Sequence, residues 1–87
     1  MTPSELVARI RSLVEEKKGQ DTVVLDLQEL TSVTDYFVLV TGSSVPHLKA
    51  MSDDIQAALK KEGTHCFRRS GNAESGWMLL DYIDVVV

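Results

Sequence analysis

Apolar residues recur along this chain with two alternating periods, and each switch marks an element. Leu6, Val7, Ile10, Leu13 and Val14 are spaced three and four apart, which places them on one stripe of a helix over residues 4–18. Thr2 or Ser4 suits its N-cap, Pro3 and Glu5 suit its first turn, and Gly19 suits a left-handed stop. Glu5/Arg9 and Arg11/Glu15 stand at i,i+4 on the polar side, where they are expected to pair. Residues 22–27 are β-branched and apolar, and they predict a strand covered on at least one face. After a polar connection at 28–34, the strand predicted at 35–41 carries Tyr36-Phe37-Val38-Leu39-Val40. Its apolar run does not alternate, so it is expected to be central and covered on both faces.

Gly42-Ser43-Ser44 breaks that strand. Ser44 or Ser43 can cap a second helix over 45–62, with Pro46 in the first turn and Gly63 at its end. Leu48, Met51, Ile55, Ala58 and Leu59 form its stripe. Residues 65–68 predict a short third strand, and the Gly/Asn/Ser-rich 70–76 a turn leading into a strand at 77–81. Val85-Val86-Val87 adds the start of one more. The order αββαββ, with that fifth strand, gives one α/β domain over 1–87, and the strand–helix–strand passage implies a right-handed crossover onto a mixed sheet. Three valines at a sheet edge would be sticky. They are expected to be covered by the fold, to lead into a continuation, or to pair with a second copy in a homodimer.

Composition narrows the class only in part. Apolar (44%) and charged (25%) fractions are those of an ordinary globular domain. The longest apolar run is far short of the ~20 residues of a membrane span, and the N-terminus lacks the layout of a signal peptide. Cys66 is the single cysteine, so no internal disulfide can form and a cytoplasmic protein is expected. A net charge of −4 argues against a DNA binder that blankets phosphates with cations, and it suits a basic protein partner.

Candidate chemistry is sparse. Gly42, Ser43 and Ser44 form a strand-to-helix turn that can bind an anion, because free N–H groups and the helix dipole converge there. It is similar to the Gly-Ser turn of nucleotidyltransferases, which hold metal with an Asp-x-Asp pair on the next strand. Asp81 and Asp84 are three apart and point to opposite faces of a regular strand, so they do not fit that chelate. A Walker-type phosphate loop is missing. His47, His65 and Cys66 do not provide three placed metal ligands, and Cys66 has no evident base. No cofactor and no catalytic residue are assigned. Arg68-Arg69 reads as a solvated pair or as an RNA contact. On a strand, Trp77, Leu79 and Asp81 share one face and Met78, Leu80 and Tyr82 the other. Either Trp77 belongs to the core, or Trp77, Leu79 and Asp81 form an aromatic, aliphatic and acidic strip open to a partner.

Taken together, Asp21-Thr-Val-Val-Leu-Asp26-Leu27, Thr34-Asp35-Tyr36-Phe37-Val38, Thr41-Gly42-Ser43-Ser44, His47 and the run Trp77–Val87 resemble the ribosomal silencing factor, or Iojap-like, family across essentially the whole chain. The resemblance implies a nucleotidyltransferase-like α/β topology without the catalytic carboxylates, and a translational repressor rather than an enzyme. It implies binding to the fourteenth protein of the large ribosomal subunit, on the intersubunit face, where the small subunit is kept from joining. The positions carried over are Trp77, Leu79, Asp81 and Tyr82, with Asp84 as a second acid. The chain departs from the family at Ser70, where a Glu usually precedes the glycine, and at Ile83, where glycine is usual. Most members also continue past the valine run with a strand and a helix.

Overall fold

In the computed structural model, which describes residues 1–87, the first stripe folds as α1 (Pro3–Glu16). Thr2 and Glu5 close a capping box. The Thr2 hydroxyl accepts the Glu5 N–H at 3.2 Å, and the Glu5 carboxylate accepts the Thr2 N–H at 2.9 Å. The Thr2 backbone N–H, and to a lesser extent the Thr2 side chain, hold the Glu5 carboxyl below its ordinary pKa. Glu5 therefore does not pair with Arg9. Arg9 instead reaches Glu62 at 2.9 Å and ties the middle of the first helix to the end of the second. The expected Arg11/Glu15 pair is not formed either. Lys18, at φ 58°, takes the left-handed position expected of Gly19. Gly19 is needed for a different reason: a Cβ there would lie 2.4 Å from Val14 and 2.6 Å from Val40.

The remaining elements are β1 (Gln20–Asp26), β2 (Tyr36–Thr41), α2 (Val45–Lys61), β3 (Arg68–Asn72), β4 (Trp77–Asp81) and β5 (Val85–Val86), with a 3₁₀ turn at Ala73–Ser75. Ser44 caps α2 by accepting the His47 N–H at 3.1 Å, and Gly63 follows its end at φ 87°. The third strand begins where the sequence placed its end. Ser70, Gly71 and Asn72 are strand rather than turn, and the reversal is made by Ala73–Ser75 with Gly76 at φ 81°. The turn chemistry of this segment belongs to Asn72, whose side-chain Oδ1 accepts the Ser75 N–H and caps the 3₁₀ turn.

The five strands lie in the order β1-β2-β5-β4-β3. β2 and β5 run parallel and the other neighbours antiparallel, so this is a mixed sheet. β5 is central, not an edge. Val85 is fully buried between neighbours on both sides, which removes the basis for pairing a second copy through the valines.

Both helices pack on one face of the sheet. Ile10 and Val14 of α1 and Leu59 of α2 meet Val38, Val85, Leu80 and Tyr82 in a single cluster. One helical layer covers one sheet face, so β2 is not covered on both sides as expected. Val38 is buried, whereas Phe37 and Leu39 on the opposite face are 37% and 50% exposed.

Candidate partner-binding face

Strand register decides which side chains share the helix-free face. Leu25 pairs with Phe37, Phe37 with Val86, Val86 with Asp81, and Asp81 with Arg68. Paired residues point the same way, so this row crosses all five strands. Val23 pairs with Leu39 on the same side, Leu79 with Ser70 and Trp77 with Asn72. The face is thus apolar across β1, β2 and β5, aromatic and acidic on β4, and polar on β3. Where β5 stops bridging them, β2 and β4 border an apolar cleft of about 230 Å³ lined by Leu39, Leu48, Met51 and Trp77.

The two readings of Trp77 are resolved by this geometry. Leu80 is buried against the helices and Trp77 is 57% exposed on the open face. Leu79 and Asp81 are half-buried beside it. Tyr82 has to be withdrawn from the candidate contacts. It is only 6% exposed and belongs to the core cluster, because the alternation that exposes Trp77 and Asp81 turns Tyr82 under the sheet. Its hydroxyl is buried without a protein partner. Burial, with a smaller contribution from the Cys66 thiol, pushes its pKa up to about 12.

Asp81 has a structural task the sequence did not reveal. Its carboxylate accepts the Ile83 N–H at 2.8 Å and so braces the turn in which Ile83 sits at φ 73°. Asp84 is exposed in that turn, and its carbonyl accepts the N–H groups of Asp35 and Tyr36 at 2.8 and 3.1 Å. The two acids flank a tight reversal and offer no chelate. No group of three His, Cys, Asp or Glu side chains is placed to hold a metal ion.

The Gly42-Ser43-Ser44 turn is also occupied from within. The Ser43 N–H donates to His47 Nδ1 at 2.9 Å, and the His47 N–H is taken by Ser44. His47 Nε2 meets the Lys17 carbonyl at 2.5 Å. Two N–H groups of the turn are thus used within the chain, and the residues act as a clamp between the end of α1 and the start of α2. Arg69 turns to the helix side and donates to Gln56 at 3.1 Å, while the Arg68 guanidinium lies 5.3 Å from the Phe67 ring centre. The two arginines do not make one basic patch.

Sequence reasoning did not identify Val23, Leu25, Phe37, Leu39 and Val86 as surface residues. Counting layers would have found them, since two helices can cover only one face of a five-stranded sheet.

The ribosomal silencing factor during starvation (RsfS) family model matches residues 1–87. The chain belongs to this family. It is 35% identical over 74 residues to the ribosomal silencing factor RsfS of Chromobacterium violaceum, covering 85% of this chain and 61% of that protein. The RsfS of Bacillus subtilis is 30% identical over 73 residues, covering 84% of this chain and 62% of the relative. The chain thus spans about three-fifths of the length of these two relatives. A crystal structure from C. violaceum superposes with a TM-score of 0.92 at 35% identity, over 100% of this chain and 72% of that one. A second, from Bacillus halodurans, gives 0.88 at 26% identity, over 97% and 78%. The resemblance read from the residues and the α/β fold class are therefore both shown. The fold described above is thus shared with solved structures. No helix of this RsfS-family chain is long and apolar enough to cross a membrane.

Proposed function

We propose that this chain is a translational repressor. It binds the large ribosomal subunit through the fourteenth protein of its intersubunit face and sterically keeps the small subunit from joining. The observation that carries this reading is the open sheet face of an RsfS-family fold, with Trp77 exposed on β4 beside Leu79 and Asp81. An exposed apolar face with an aromatic anchor and a polar rim has the make-up of a protein-binding surface. Asp81 and Asp84 supply the charge that selects a basic partner, and the net charge of −4 steers the approach. The action is non-enzymatic, needs no cofactor, and takes place in the cytoplasm where subunits join.

Co-sedimentation with isolated large subunits tests this directly, with small subunits added afterwards. Trp77→Ala and Asp81→Asn are the informative variants. Asparagine keeps an oxygen for the Ile83 N–H while removing the charge, so loss of binding reports on recognition rather than on the turn. Binding that blocks joining and is lost in both variants supports the proposal. Failure of the folded wild type to bind, or binding indifferent to both changes, refutes it.

A further inference from the structure

A solvent-exposed tryptophan samples more than one rotamer, and ordering such a side chain on binding costs conformational entropy. The surroundings of Trp77 are built to avoid that. Gly71, at φ 74°, leaves room for the indole to lie against the backbone of the neighbouring strand. A Cβ at Gly71 would fall 2.7 Å from Trp77 Cε3 and 2.3 Å from the Trp77 carbonyl oxygen. The chain between them is locked as well. Asn72 Oδ1 accepts the Ser75 N–H at 2.8 Å. The Ser75 hydroxyl donates to the Asn72 carbonyl at 2.7 Å and lies 3.3 Å from the Trp77 carbonyl. Ala73, only 4% exposed, anchors the loop. The rest of the loop is solvated.

We infer that Gly71, Asn72 and Ser75 are positioning residues for the Trp77 anchor, holding the indole in its docking orientation before a partner arrives. This rests on the reading of the open face as the partner surface. Gly71 supplies the platform, Asn72 and Ser75 fix the backbone from which the ring projects, and the ring meets the partner already ordered. Preorganisation of this kind raises affinity without adding a contact.

Trp77 is the single tryptophan, so its fluorescence reports on the mount without a label. Asn72→Ala should increase the rotational freedom of the indole in time-resolved anisotropy, and Asn72→Asp, which keeps the acceptor, should restore it. Asn72→Ala should weaken binding to isolated large subunits by about three- to tenfold, with urea unfolding verifying that the domain is folded. In a Trp77→Ala background the same change should cause no further loss. Unchanged anisotropy overturns the inference. So does a weakening that persists without Trp77, because Asn72 would then be acting on the fold or on another contact. Absence of binding by wild type defeats the functional reading instead, and the anisotropy still decides whether the mount exists.

Discussion

Replacing Tyr82 with Phe removes one oxygen atom from the core and should make the domain more stable. The ring stays where it is, packed among the residues of the central cluster at 6% exposure. The hydroxyl it loses is buried and meets no donor or acceptor of the protein. An unpartnered buried hydroxyl costs roughly 1–3 kcal/mol. The void left by one oxygen costs about 0.5 kcal/mol at ~24 cal/mol per Å³. The balance favours Phe by about 1 kcal/mol, or roughly 5 °C in midpoint for a domain of this size. A second signature separates this account from generic repacking. The folded pKa of Tyr82, at about 12, is raised above its ordinary value of 10.0 by burial. A raised folded pKa means that the neutral phenol is favoured in the fold. Its contribution is complete below pH 10 and is lost as pH rises toward 12, when the unfolded chain ionises first. The advantage of Phe should therefore widen above pH 10, by about 2 kcal/mol at pH 12. Urea unfolding at pH 7 and at steps from 9 to 11.5 measures both effects. A Phe variant that is less stable by 1 kcal/mol or more, with a gap insensitive to pH, would refute the reasoning and show the hydroxyl to be bonded in solution.

Further substitutions follow from the same geometry. Ile83→Gly relieves a β-branched residue held at φ 73°, a strain of about 1–2 kcal/mol. It gives up only the packing of a side chain 57% exposed, so stability measured in urea should rise by up to about 1 kcal/mol, and a fall would contradict the strain. His47→Ala removes the link from Ser43 to the Lys17 carbonyl and should cost about 1–3 kcal/mol, with amide exchange accelerated at residues 17–19 and 42–44. If exchange there is unchanged, the clamp is not holding the two helix ends. Trp77→Ala should shift the thermal midpoint little, since the side chain is largely exposed. Ile10→Ala, at a fully buried site, should cost about 2–5 kcal/mol, and comparable losses at the two positions would place Trp77 in the core.

Much of the fold was legible because it follows from period. Both helices and four of the strands were placed to within a few residues by the spacing of apolar side chains and by Ser44, Gly63 and the Gly-rich turn. What failed has local causes. The third strand was expected at 65–68 and lies instead at Arg68–Asn72, because Arg68-Arg69-Ser70-Gly71-Asn72 has the composition of a loop. It pairs with β4 because Gly71 admits the backbone and indole of Trp77, a reason that exists only across strands. Lys18 took the left-handed position since Gly19 was needed for close approach to Val14 and Val40. The candidate face was half legible. Alternation placed Trp77, Leu79 and Asp81 together, and the same alternation, followed one residue further, should have buried Tyr82. The contributions of Phe37 and Leu39 were hidden because an unalternating apolar run looks alike whether its second face meets helices or a partner.

That last ambiguity bears on function. Apolar side chains on both faces of β2 are reasonable only if both faces are buried at some point in the protein's working life. The helical layer accounts for Val38 and Val40. It cannot account for Val23, Leu25, Phe37 and Leu39, which remain exposed side by side on paired strands. Left bare, such a surface promotes association. The excess of acidic over basic side chains counters self-association by repulsion between copies while leaving attraction to a basic surface intact. A second copy would bring the same excess of negative charge to the face, whereas a basic ribosomal protein would bring the opposite. The charge balance therefore favours a basic partner over a homodimer as the cover for this sheet.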